Sequence, residues 1–371
     1  MGNSEEFTIG VEEEYQIIDP ETRELSGRSG RIMPLAKEAL GKDIVQPEVH
    51  TSQLEIATSI CQTLAEVRQQ LIKARGSVIE AANQAGKAIA AGGTHPFSRW
   101  QDQPITQKER YLGLEQDYQQ IIRDLIIFGC HIHVGLSDRE LAIQTVNRAR
   151  NWLSPLLALA ANSPFWLGED TGYASYRTEL WYRWPTAGPP PFFSNYGQHQ
   201  ALIETLIKTG VVSDATKIYW DIRLSERFPT VEFRVTDIGL TIDEAVMITG
   251  LVRALVKTCC QQAKEDREIV AVHPELLKAA HWRAARSGLQ GNLINVEQEC
   301  SLPAKELIEQ LLNHLRPALE DQGDWDEVYS LVQKVLREGN AAQRQYKVYQ
   351  NRGSYLDVVD YLIAQTSQGV A

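Results

Sequence analysis

Apolar and polar residues alternate along short runs of the chain. The alternation predicts strands at Phe7–Ile18, Val45–Thr58, Ala88–Thr94, Ile126–Leu136, Ile218–Leu224 and Thr230–Ile238. Between these runs the apolar spacing lengthens to that of a helix. Thr63-Leu-Ala-Glu66 has the form of a capping box, and it opens a helix towards Gly86 with Leu64, Val67, Leu71, Ala74 and Val78 as its buried stripe. Ser137-Asp-Arg-Glu140 opens a second helix, and Thr241-Ile-Asp-Glu244 a third that runs through Leu251, Leu255 and Val256. Beyond about Pro303 the tail is mostly helical, with Leu307, Leu311 and Leu315 on one face and a further helix from Trp325 to Leu336. The stretch Arg183–Gly197, "RWPTAGPPPFFSNYG", is too rich in proline and glycine for regular structure, and its aromatics suit a lid or pocket wall. Strands and helices are mixed rather than strictly alternating. The expected class is therefore α+β: one domain over residues 1–371, with a mainly antiparallel sheet, helices on one face and a helical C-terminal segment from about residue 300.

Side chains alternate across a strand, so each run can be split into two faces. In "FTIGVEEEYQII", Phe7, Ile9, Val11, Tyr15 and Ile17 form an apolar face, while Thr8, Gly10, Glu12, Glu14 and Gln16 form the other. Glu12 and Glu14 then project together, about 7 Å apart. Glu13 falls on the apolar face, where a basic partner on a covering helix would accommodate it. In "FGCHIHVGL", Cys130, Ile132 and Val134 oppose His131 and His133, and the flanking glycines point to a bulky neighbour close by. In "TVEFRVTDI", Val231, Phe233 and Val235 oppose Glu232, Arg234 and Thr236, which puts Asp237 on the core side. In "IYWDIRL", Tyr219, Asp221 and Arg223 share the polar side. A merely wet face usually collects Lys, Thr, Ser and Gln; this one collects Glu, His, Asp and Arg. Glu55 lies on a polar face of its run. Glu48 has the opposite parity and joins Glu55 only if a turn or bulge intervenes around His50–Ser52.

Composition narrows the function. Of 371 residues, 43% are hydrophobic and 23% charged, and the net charge is −11, which disfavours nucleic acid or an anionic membrane as the main partner. The five cysteines form no CxxC pair, and the start "MGNSEEF" carries acids where a signal peptide would be basic, so a cytoplasmic protein is expected. An oxygen-rich set with one imidazole and no thiolate suits hard divalent ions such as Mg²⁺ or Mn²⁺. Arginines among such acids point to an anionic ligand, and metal, phosphate and arginine together point to phosphoryl transfer. No GxxxxGK[ST] loop or kinase signature is present.

"GVEEEY", "EVHTSQLEI", "GCHIHVG", "YASYR" and "VEFRVTD" together resemble the glutamate–cysteine ligase family in its short bacterial carboxylate–amine ligase branch, with "WRAARSGLQG" as a further likeness. The resemblance implies a funnel-shaped antiparallel sheet like that of glutamine synthetase, six-stranded here, with ATP, Mg²⁺ and amino-acid substrates. It makes Glu12 and Glu14 ligands of two different ions. Glu48 and Glu55 would stand beside the ion of Glu14, and His131 and Glu232 beside that of Glu12. Arg234 would contact the transferring phosphoryl group, Arg177 would serve at the substrate or phosphate end, and His133 would lie near the substrates. Arg223 is a phosphate candidate by its position on a strand, and Arg283 and Arg286 are weaker ones. The implied reaction phosphorylates the side-chain carboxylate of glutamate and then forms an amide with an amine: cysteine, another amino acid or a small amine. A guanidino kinase and a non-catalytic nucleotide or metal sensor are the competing readings, and a homodimer is allowed for.

Overall fold

The computed structural model describes residues 6–370; the acid-bearing start at residues 1–5 lies outside the described residues. Seven strands build one sheet: β1 (Ile9–Ile18), β2 (Val45–Pro47), β3 (Gln53–Ala57), β4 (Ala88–Ala90), β5 (Gly129–Gly135), β6 (Ile222–Leu224) and β7 (Thr230–Asp237). Their order is β2-β3-β1-β5-β7-β6, with β4 paired to the end of β1, and the pairings are antiparallel. Six expected strands become seven because the Val45–Thr58 run folds back on itself. Gln53 N–H donates to the His50 carbonyl at 3.0 Å, closing a turn between β2 and β3. That turn removes the parity conflict between Glu48 and Glu55.

The apolar face of the sheet is buried under helices. Ile9, Val11, Ile17, Ile132, Val134, Val231 and Phe233 join one cluster with Leu64, Val67, Leu71 and Val78 of helix Leu64–Gln84 and with the length of helix Ile242–Lys264. The predicted starts mostly hold. Thr241 and Glu244 form a complete capping box. Thr63 caps Glu66 N, although the Glu66 carboxylate reaches one residue further back, to Gln62 N at 2.7 Å. The helix after β5 is capped by Asp138 rather than Ser137. Helices Ala304–Gln322, Trp325–Glu338, Ala341–Arg352 and Tyr355–Thr366 make up the tail.

Glu13 finds its partner in Arg75 of helix Leu64–Gln84. One guanidinium nitrogen lies 2.6 Å from Glu13 Oε1, another donates to the Tyr15 hydroxyl at 3.1 Å, and the group also donates to the carbonyls of Gly239 and Leu240. Tyr15 donates in turn to the second Glu13 oxygen. Both charged side chains are wholly buried. The pair clamps β1 to the helix layer directly behind Glu12 and Glu14.

One irregularity redirects the polar face. Cys130 pairs with Thr236 and Ile132 with Phe233, so Arg234 and Val235 together oppose His131. This β-bulge reverses the alternation beyond it. Asp237 therefore pairs with Gly129, on the face of His131, rather than on the core side as strict alternation predicts. Thr236 moves the other way and bonds the Cys130 carbonyl at 3.0 Å.

Candidate active site

The polar face opens on a cavity of about 410 Å³ lined by Glu12, Glu14, Glu48, Glu55, His131, His133, Arg177, Arg223, Glu232 and Arg234. The glutamates, histidines and arginines that the strand alternation puts on the polar face thus meet in one place, whereas Asp221 does not reach it. Register explains how. Glu12 pairs with His131 across β1–β5, Glu14 with Glu55 across β1–β3, and His133 with Glu232 across β5–β7. Glu48 enters from the turn after β2, where Tyr111 and Thr106 hold the carbonyls of Pro47 and Glu48 at 2.6 Å each.

Two groups of acids have ligand atoms mutually within 4.8 Å: Glu12, Glu55 and His131, and Glu14, Glu48 and Glu55. Glu55 belongs to both. His131 Nδ1 lies 3.0 Å from Glu12 Oε2, and its Nε2 lies 3.7 Å from Glu14 Oε1. Burial pushes the Glu14 and Glu48 carboxyls up, and Glu55 goes well above the usual carboxylate range under burial and repulsion from Glu12, Glu48 and Glu14. Glu12 moves the opposite way: burial opposes its ionisation, but contacts with His131 and His133 outweigh it. Burial, with Arg234 nearby, pushes the His131 imidazole down, which leaves it neutral and fit to ligate. Crowded carboxylates whose ionisation is opposed, next to a neutral imidazole, are the donor set that a hard divalent cation stabilises. The residues fit Mg²⁺ or Mn²⁺.

Glu232 stands between two arginines. Arg223 grips it through two bonds at 2.9 and 3.0 Å, and Arg234 bonds Oε1 as well. Burial alone would raise its pKa, but the two guanidinium groups hold it well below the usual range. It belongs to neither acid group. Both of its oxygens are bonded by the two arginines, and its Cα partner across β5–β7 is His133.

Arg234 is further fixed by ring faces, 5.4 Å from the Trp181 centroid and 5.9 Å from that of Tyr219. Arg177 lies under the same wall, and its guanidinium occupies the space a side chain on Gly129 would need: a Cβ there would stand 2.2 Å from the terminal nitrogen. Gly129 N–H meanwhile donates to Glu14 at 2.6 Å. The bulky neighbour implied by the glycines beside His131 is thus Arg177. His133 donates to or accepts from Thr230 at 2.9 Å, and Glu12 and Glu232 raise its pKa against the effect of burial.

Trp181, Trp184 and Tyr219 form an aromatic wall, and Lys108, Arg110 and Arg227 add positive charge to the lining. Of these, strand parity indicates only Tyr219. Of the proline-rich loop only Trp184 lines the cavity. Asn147 bonds both the amide and the carbonyl of Phe193, which ties the loop down at that residue. Asp221 is buried elsewhere, bonded to Tyr182 at 2.6 Å and His281 at 3.0 Å. Arg283 and Arg286 lie over Trp282 and Tyr173, and neither lines the cavity.

Among the described residues no helix is long and apolar enough to cross a membrane. The chain is 40% identical over 370 residues to a protein of Rhodopirellula baltica provisionally named glutamate–cysteine ligase 2, covering 97% of this chain and 96% of that one. A similarly named protein of Mycolicibacterium smegmatis is 40% identical over 360 residues, covering 97% and 98%. In fold the chain resembles the glutamate–cysteine ligase of Francisella tularensis, crystallised in complex with AMP, with a TM-score of 0.74 at 13% identity over 99% of this chain and 89% of that one. It also resembles a bifunctional glutathione synthetase of Pasteurella multocida, with a TM-score of 0.66 at 15% identity over 99% of this chain and 53% of that one. Residues 8–360 match the glutamate-cysteine ligase family 2. The chain belongs to that family, and with it to the ATP-dependent ligases that form a C–N bond.

Proposed function

We propose that the protein joins the side-chain carboxylate of glutamate to the amine of cysteine, using ATP and Mg²⁺ and passing through an acyl phosphate. The observation that carries this reading is the cavity floor, where two acid groups share Glu55 and face the Arg223–Glu232–Arg234 cluster. Glu12, Glu55 and His131 would hold one ion, and Glu14, Glu48 and Glu55 another. Mg²⁺ bound there supplies charge neutralisation for the phosphates of ATP. Arg234, held rigid by Glu232 and two aromatic faces, stabilises the phosphoryl group as it passes from ATP to the glutamate oxygen. Arg223 supports it as a phosphate-binding group, Arg177 receives an anionic end of a substrate, and His133 stands beside the substrates. The amine nitrogen then attacks the acyl carbon, phosphate leaves, and the amine proton is released. The whole chain serves as one catalytic unit in the cytoplasm, which its five unpaired cysteines suit.

The test is incubation with ATP, Mg²⁺, glutamate and a panel of amines, with ADP and phosphate measured and the product weighed by mass spectrometry. An amide formed only with the right amine supports the reading. A stable N-phospho product identifies a kinase, and ATP binding without turnover on the full panel identifies a sensor.

Cation binding has its own signature. Without a cation, Glu14, Glu48 and Glu55 keep their protons in the fold at pH values where the unfolded chain has released them. Folding then binds more protons, so their contribution to stability falls as pH rises above the ordinary carboxylate pKa of 4.5 towards their raised values. A cation replaces those protons. Mg²⁺ at a hundred times its Kd at about pH 8 is expected to stabilise the fold there by about 2.7 kcal/mol, and the same concentration should raise the thermal midpoint less at about pH 5.5, where protons compete for the carboxylates. An equal rise at both would place the ion away from these carboxylates.

Gly129→Ala is expected to lower kcat/KM by about 10²-fold, because the new methyl group must push Arg177 off its seat. Steady-state kinetics check this, and an unchanged rate would show that the position of Arg177 is immaterial.

A further inference from the structure

We infer that Asp237 is the positioning residue for Arg177, setting where that guanidinium stands relative to Arg234 across the cavity; the inference rests on the ligase reading for its kinetic consequences. Three observations meet here. The bulge at Arg234–Val235 turns Asp237 onto the chemical face, opposite Gly129, and Arg177 lies over that same glycine. The Asp237 carboxylate also grips the segment that launches the short helix Tyr176–Trp181. Its Oδ2 accepts from Asn162 N and Ser163 Oγ at 2.7 Å each, and its Oδ1 accepts from Ser175 Oγ at 2.8 Å. Ser163 Oγ in turn accepts from the Arg177 backbone N–H at 3.0 Å, so one carboxylate fixes both the start of the helix and the residue on it.

The guanidinium itself is only partly satisfied. Asp237 Oδ1 is 3.9 Å from Nη1, the Arg234 carbonyl accepts from Nη2 at 3.3 Å, and the buried Nε has no partner. Asp237 is near enough to orient the charge and too far to satisfy it through a direct bond. Donors remain for an anionic group in the cavity. Asp237 is three residues beyond Arg234 on the same strand, so it ties Arg177 to the strand that carries the other cavity arginine.

The experiment is a double-mutant cycle of Asp237→Asn and Arg177→Lys on amide formation. Asparagine keeps the shape and, with Ser175 turned to accept, keeps the bonds to the loop; only the charge facing Arg177 goes. Asp237→Asn alone is expected to lower kcat/KM by about 10²-fold. In the Arg177→Lys background it should change the rate by no more than about twofold, the ordinary error of additivity. Losses that multiply in full would overturn the inference, because a merely structural aspartate acts independently of Arg177. A crystal structure of Asp237→Asn gives a readout free of the reaction: a guanidinium displaced from Gly129 supports the inference, and one that has not moved sinks it. If no amine is coupled by the wild type, the ligase reading fails, while the crystal structure still judges the positioning. Should Asp237→Asn not fold, Ser175→Ala removes one tether and is expected to show the same coupling to Arg177 at smaller amplitude; no coupling would again overturn the inference.

Discussion

Arg75→Met is expected to lower the unfolding free energy by about 3–5 kcal/mol, the usual cost of removing one member of a buried ion pair. The cost arises less from the lost attraction than from what is left behind. Glu13 would remain a wholly buried carboxylate between β1 and helix Leu64–Gln84, with only the Tyr15 hydroxyl to bond it. The carbonyls of Gly239 and Leu240 would each lose the Arg75 donor. Methionine fills most of the volume, so a cavity contributes little. Urea unfolding followed by far-ultraviolet circular dichroism measures the effect. The double variant Glu13→Gln with Arg75→Met separates the causes: it carries no unpaired charge and should recover part of the loss. If the double variant is as unstable as the single one, packing rather than charge is what the pair supplies. The location gives this pair wider reach, because Glu13 sits between Glu12 and Glu14 in sequence and fixes the strand from behind.

The alternation of β1, β5 and β7 made much of this arrangement legible from the sequence. Polar residues at every second position of three neighbouring strands must share a face, so Glu12, Glu14, His131, His133, Glu232 and Arg234 could be grouped before any pairing was known. The basic partner for Glu13 followed from the same logic. What alternation does not encode is its own interruption. Nothing in "VEFRVTDI" marks Arg234 and Val235 as a bulge, so strict alternation puts Asp237 on the core side although it stands on the chemical face. Likewise, the grip of Arg223 on Glu232 depends on the pairing of β6 with β7, a register only the fold supplies. The aromatic wall and the basic residues Lys108, Arg110 and Arg227 lie mostly in loops and short helices, where no period reports which way a side chain faces.

Arg234→Lys is expected to lower kcat by about 10²–10³-fold, the loss typical of removing one donor aimed at transition-state charge. The thermal midpoint should barely move. That contrast follows from the structure. Glu232 keeps its two bonds from Arg223, so the substitution leaves no unpaired buried carboxylate behind it. Lysine keeps one positive charge in the cavity, so binding of ATP should largely persist. It cannot reproduce the planar guanidinium, which bonds Glu232 with one nitrogen while its face lies against Trp181 and Tyr219. A flexible ammonium reaches the phosphoryl group only part of the time, and the orientation that the bulge and the Asp221 carbonyl give to the Arg234 backbone is wasted on it. Rates of ADP release at saturating ATP and glutamate, measured beside calorimetric binding of ATP, decide the matter. A fall in kcat with little change in ATP affinity places Arg234 at the travelling charge. Loss of ATP affinity with kcat preserved would make it a nucleotide anchor instead, and the phosphoryl-transfer role would then have to pass to Arg177 or to the basic residues at the cavity lining.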